Sequence, residues 1–203
     1  MPLPVLTVII FIFIIWLQYE IRKSARHTKD ASNRFWDGEK QANLARRKDI
    51  SDLNYLKLNT DTLPLKDKED ETINSYRDTV CSLADRKILN LNGISNTELK
   101  NTYGIANINL LMEYDNNFVV LVSMLQKWAE RLYNEGYTED ALSVLEYAVT
   151  CGSDVHKTYR LLADIYKQQN KPEKISELIR IVSERDIHDR QKLTDILINA
   201  MNT

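Results

Sequence analysis

Residues 122–155 read VSMLQKWAERLYNEGYTEDALSVLEYAVTCGSDV, and residues 156–189 read HKTYRLLADIYKQQNKPEKISELIRIVSERDIHD. Shifted by 34 residues, the first line falls on the second. Trp128 meets Leu162, Ala129 meets Ala163, Leu132 meets Tyr166, Ala141 meets Ile175, Leu145 meets Ile179 and Ala148 meets Val182. Apolar and small residues recurring at these offsets mark a helix-turn-helix unit used twice. Gly136-Tyr137 and Asn170-Lys171 break the pattern at the same place in each line, where a reversing backbone needs residues that tolerate left-handed geometry. Glu139 and Glu173 follow, each setting a carboxylate at the positive end of the helix that begins there.

On these offsets the segment resembles the tetratricopeptide repeat family, over about 80 residues or roughly two-fifths of the chain. It departs from the family pattern in having Leu125 and Tyr159 where Trp is favoured, Leu132 in place of Tyr, Ile175 in place of Ala, and no Pro at the repeat ends. Residues 190–203 look like a terminal capping helix, with Leu193, Ile196, Leu197 and Ala200 at helical spacing. The resemblance implies that the first helices of successive repeats line a concave, partner-binding groove. By motif position the groove residues are Gln126, Glu130, Tyr133 and Asn134 from the first repeat, and Lys157, Arg160, Asp164, Lys167 and Gln168 from the second. Lys157, Arg160 and Lys167 share one helical face, suited to a peptide carboxylate or an acidic segment, while Tyr133 offers a flat apolar surface. The alternative is a merely solvated charged face. The family's carboxylate clamp, which uses Lys and Asn positions across three repeats, is not reproduced.

Each such hairpin buries its oily side only against neighbours. Upstream helices must therefore cover the first one. Ile73, Tyr76, Val80, Leu83 and Ile88 recur at steps of three and four, which predicts one amphipathic helix over residues 67–89. Ser95 followed by Glu98 is a capping-box pattern opening a short helix that Gly104 closes. A turn or two around Ile108, Leu111 and Met112 is expected before Asp115-Asn116-Asn117, which read as the cap of the next long helix. Residues 49–66 are expected to be an irregular connector lying against the domain, since Leu53, Tyr55, Leu56, Leu58, Leu63 and Leu65 are too apolar for a free linker.

At the other end, residues 3–19 carry no charge and include twelve Val, Leu, Ile or Phe residues. Such a run at about 1.5 Å per residue makes a short membrane-spanning helix, with Trp16 and Tyr19 placed as interfacial aromatics. No basic residue precedes it and no small-residue cleavage site follows, so an uncleaved anchor over residues 1–20 is expected. Residues 21–48 form a basic helical stalk, and Arg22, Lys23, Arg26 and Lys29 are placed to meet anionic headgroups. That flank predicts a single-pass topology with the C-terminal bulk in the cytoplasm, the outward arrangement being the alternative. Phe35 and Trp36 are either interfacial contacts or, preferably, a docking point on the domain.

Five Gly and four Pro are too few turn formers for a many-stranded sandwich, and they suit an all-α fold. The resulting division is anchor 1–20, stalk 21–48, connector 49–66, helical N-terminal part 67–121 and two repeats with a cap over 122–203. No nucleotide-loop, zinc-protease or nucleophile-elbow motif occurs. His27, His156 and His188 are scattered, and Cys81 and Cys151 form no close pair, so no metal, no cofactor, no nucleic acid and no small-molecule substrate are expected. The expectation is a non-enzymatic membrane adaptor that recruits a protein or peptide at the lipid bilayer. A structural subunit of an envelope complex is the alternative. A membrane-bound enzyme would need a pocket built from distant acids such as Asp78, Asp85 and Glu113.

Overall fold

The computed structural model describes residues 3–185, 187 and 189–202; of residues 3–9, 24–28, 31 and 202 it describes the backbone alone. Helices are α1 (Leu3–Asn43), α2 (Glu71–Ser82), α3 (Asn96–Tyr103), α4 (Ile108–Asn134), α5 (Thr138–Thr150), α6 (His156–Gln168), α7 (Pro172–Glu184) and α8 (Arg190–Asn202). Short 3₁₀ turns lie at Thr60–Thr62 and Ile105–Asn107. Among the described residues no strand occurs, and the fold is all-α. The chain divides into two compact units, Met1–Ile50 with Ile94–Ile108, and Ser51–Gly93 with Asn109–Thr203. Residues 94–108 therefore group with α1, where the sequence placed them in one stretch with 67–121.

In the second unit the helix ends repeat with the sequence period. Shifting α5 by 34 residues gives the bounds of α7, and shifting α6 gives those of α8. The turns repeat bond for bond. Tyr137 N–H donates to the Leu132 carbonyl at 2.9 Å and Gly136 N–H to Tyr133 at 3.0 Å; Lys171 N–H donates to Tyr166 at 2.9 Å and Asn170 N–H to Lys167 at 3.0 Å. This paired closure satisfies carbonyls that the helix end leaves orphaned, and it requires a left-handed residue. Gly136 (φ 84°) and Asn170 (φ 54°) supply it.

One apolar cluster joins α4 to α8. It takes in Trp128, Ala129 and Leu132, then Leu145 and Ala148, then Tyr159, Leu162, Ala163 and Tyr166, then Ile175, Leu178 and Val182, and finally Leu193 and Leu197. Tyr159 is fully buried and its hydroxyl donates to the Ser153 carbonyl at 2.7 Å, so its polar tip is satisfied. Leu63, Ile73, Val80, Leu83 and Ile88 belong to the same cluster, with Leu56 and Leu58 packed on it. These residues of the connector, of α2 and of the segment that follows it give the first hairpin its N-terminal cover. Leu63, ahead of Pro64, is extended (φ −91°, ψ 151°).

Two upstream expectations change. The helix foreseen over 67–89 is only Glu71–Ser82. The Asn74 side chain donates to the Lys68 carbonyl at 2.8 Å and accepts from its N–H at 2.9 Å, and Asp70 caps α2, so residues 68–70 stay out of the helix. Asp115-Asn116-Asn117 cap nothing, because α4 runs through them from Ile108. Asp115 instead accepts from Leu91 N–H at 3.0 Å, and the buried Asn117 donates to the Lys87 carbonyl at 3.0 Å. Their side chains satisfy the backbone of residues 87–91, which also receives a bond from Leu56 N–H at Ile88 (2.9 Å).

The first unit is built on α1, whose 41 residues span about 60 Å. Its last turns pack on α3. Glu39 accepts from Lys100 at 2.5 Å and from the Thr97 hydroxyl; the Lys100 bond foremost holds its carboxyl below the usual range. Ser95 caps α3 through Glu98 N–H at 3.2 Å, as the capping-box pattern predicts. Fully buried Asn107 donates to the carbonyls of Lys48 (2.7 Å) and Tyr103 (2.8 Å) and accepts from Arg47 Nε at 3.2 Å. Gly104 (φ 84°) sits against the Arg46–Arg47 backbone, where a side chain has no room.

Candidate functional site

The residues assigned to the groove lie on α4 and α6, and the structure treats them unequally. Lys157, Arg160, Asp164, Lys167 and Gln168 are exposed on α6, as is Asn134 at the end of α4. At about 100° per residue, Arg160, Asp164 and Lys167 fall on one face of α6. Tyr133 and Gln168 are brought together, the Gln168 side-chain amide donating to the Tyr133 hydroxyl at 2.7 Å between α4 and α6. Gln126, by contrast, is 7% exposed, and its amide donates to Glu130 at 2.7 Å one turn on. Its hydrogen-bonding capacity is thus partly spent inside the protein. What faces outward is three cations and one carboxylate of α6, with the Tyr133–Gln168 pair between α4 and α6.

Over residues 10–17 of α1 the apolar residues are all exposed: Ile10, Phe11, Ile12, Phe13, Ile14, Ile15, Trp16 and Leu17 range from 41% to 70%. Consecutive residues point around the whole helix, so no side of this stretch is covered by protein. Among the described residues no helix is long and apolar enough to cross a membrane. The run expected to do so, residues 3–19, lies partly outside those whose side chains are described. Arg22, Lys23 and Lys29 are exposed; the side chains of Arg26 and His27 fall outside the described residues, as does His188. Phe35 and Trp36 stack edge to face with centroids 5.5 Å apart and are 57% and 58% exposed.

Chemistry-bearing groups elsewhere are dispersed. Asp78, Asp85 and Glu113 are each exposed, and Asp78 pairs with Arg77 at 2.7 Å. Cys151 is buried and free, and burial pushes its thiol up to about 11. Cys81 is half-buried, and burial raises it too. Among the described residues no group of three or more His, Cys, Asp or Glu is arranged to hold a metal ion.

One feature escaped the sequence reading. A cleft of about 230 Å³ opens between α5, α6 and α7, with Val149, Leu162, Tyr166, Leu178 and Ile181 inside and Glu146, Thr150, Lys174 and Glu177 around it. The Tyr166 hydroxyl donates to Glu146 at 2.7 Å, and burial first, then this carboxylate, raises its pKa. Glu146 and Tyr166 come from different helices, and no local spacing links them. The chain matches no known protein family, no characterised protein and no solved structure.

Proposed function

We propose that this chain is a single-pass membrane adaptor of tetratricopeptide type, which holds a helical-hairpin surface beside the bilayer and recruits a protein or peptide there. The observation that carries this reading is the continuous helix α1, in which an apolar stretch exposed on every side runs into a basic, exposed segment. A helix apolar all round is at home in lipid. Arg22, Lys23 and Lys29 follow it, a basic flank that favours a cytoplasmic domain. The 34-residue recurrence of helix ends and turn bonds in α4–α8 supports the repeat reading. The exposed Lys157, Arg160 and Lys167 beside Tyr133 and Gln168 suit an acidic segment of the partner. Anchoring concentrates the domain where a membrane partner is found.

The test has two arms. The full chain is expected to stay with membranes through alkaline carbonate washing, and a variant lacking residues 1–20 to be released; a full chain that washes off ends the anchor reading. Partners captured by cross-linking in intact cells are expected to be lost from the double variant Arg160→Glu, Lys167→Glu. Undiminished capture by that variant leaves the groove reading without support.

A further inference from the structure

The cleft between α5, α6 and α7 is separate from the face assigned to the groove. On α6, Leu162 and Tyr166 are about 200° around the helix from the centre of the Arg160, Asp164 and Lys167 face. At about 230 Å³ it is smaller than the roughly 300–1,000 Å³ of ordinary small-molecule sites, which fits one large side chain rather than a cofactor. Its inner wall is apolar, with Val149, Leu162 and Leu178 all buried. Its rim is acidic. Glu146 and Glu177 flank it, and the single cation there, Lys174, lies 3.2 Å from Glu177. Glu146 and Glu173 add to the field that raises the Lys174 pKa, with Glu177 the largest contributor. Two carboxylates thus share the rim with one ammonium.

We propose that this cleft receives an arginine side chain from a partner protein, its stem on the apolar wall and its guanidinium between Glu146 and Glu177. Aliphatic stems of basic side chains bury readily while the charged head stays at the wet rim. The planar guanidinium reaches two carboxylates at once, which an ammonium does less well, and the Tyr166 ring adds an aromatic surface for it. Lys174 occupies part of that field and competes with the incoming cation. This site stands or falls independently of the acidic-segment groove.

The test uses the full chain, isotopically labelled in detergent micelles, titrated with N-acetyl-arginine methylamide and with its neutral isostere N-acetyl-citrulline methylamide. The arginine probe is expected to shift the amides of residues 146–150 and 174–181 with an affinity on the order of millimolar, and citrulline to bind about tenfold more weakly. Glu146→Gln with Glu177→Gln is expected to weaken the arginine probe about tenfold, and Lys174→Met to strengthen it about threefold. The second variant keeps the test decisive if the first folds poorly. Equal binding of both probes, shifts centred on Glu130 and Asp164, absence of shifts, or weaker binding by Lys174→Met each overturn the proposal. A chain that self-associates and is dispersed by the arginine probe assigns the cleft to a second copy and overturns the partner assignment.

Discussion

Arg131, near the end of α4, donates to the carboxylate of Asp70 at 2.6 Å across 61 positions of chain, while the same carboxylate accepts from Thr72 N–H at 2.7 Å and so caps α2. One side chain thereby starts a helix and ties it to the first hairpin. The Arg131 bond foremost holds Asp70 below the usual carboxylate range. A depressed acid contributes stability that is present above its unfolded-state pKa and is lost as pH falls through the folded-state value. Asp70→Asn is therefore expected to lower the melting temperature at neutral pH. The gap between variant and wild type should close in the acid range below about pH 4, as read by melts across a pH series.

The two hairpin turns make a matched pair for testing backbone strain. A Cβ at Gly136 meets nothing within 4 Å, so Gly136→Ala is opposed only by its φ of 84°. The cost is expected to be about 1 kcal/mol in urea unfolding, and Asn170→Ala should cost about the same. Asn170→Gly should be within a few tenths of a kcal/mol of wild type.

Gly104 combines the same left-handed φ with backbone crowding, since a Cβ there would lie 2.8 Å from the Arg47 α-carbon. Gly104→Ala is expected to cost several kcal/mol locally, more than Gly136→Ala. Hydrogen exchange should show it as lost protection over residues 94–108, with residues 138–184 little changed.

Core truncations should separate cavity from polarity. Leu145 is fully buried, and Leu145→Ala is expected to cost about 2–5 kcal/mol. Trp128 is also fully buried, but among the described residues its indole N–H has no hydrogen-bond partner. Trp128→Phe removes that orphaned donor along with volume, so its cost should be the smaller of the two by chemical denaturation.

The thiols should react in order. Burial raises both above the usual range, Cys151 to about 11, and Cys151 is the more deeply buried. Ellman's reagent at pH 8 is expected to modify Cys81 first and to reach Cys151 only as the protein unfolds. Equal rates in the native protein would contradict the packing of Cys151.

The repeat was legible because its signal is local: apolar spacing of three and four, and a turn residue every 34 positions, together fix the ends of α5 to α8. Upstream, short polar side chains misled the reading by serving distant backbone. Asp115 and Asn117 look like a helix cap until residues 87–91 are seen to be their partners, and Asn74 shortens α2 by holding Lys68. The exposed cations of α6 were readable from motif position, whereas the near-burial of Gln126 was not. The cleft was invisible for a plainer reason, since its wall and rim converge from three helices.

Because the turn after α4 and the turn after α6 are closed by the same bonds, their junctions are interchangeable. Cutting residues 135–168 out of the chain would splice α4 onto the Gln169-Asn170-Lys171 turn and then α7, with no new corner to invent. Copying that segment instead would lengthen the array by one hairpin. Whole-unit duplication or loss can thus change the length of the hairpin array while leaving α1 untouched.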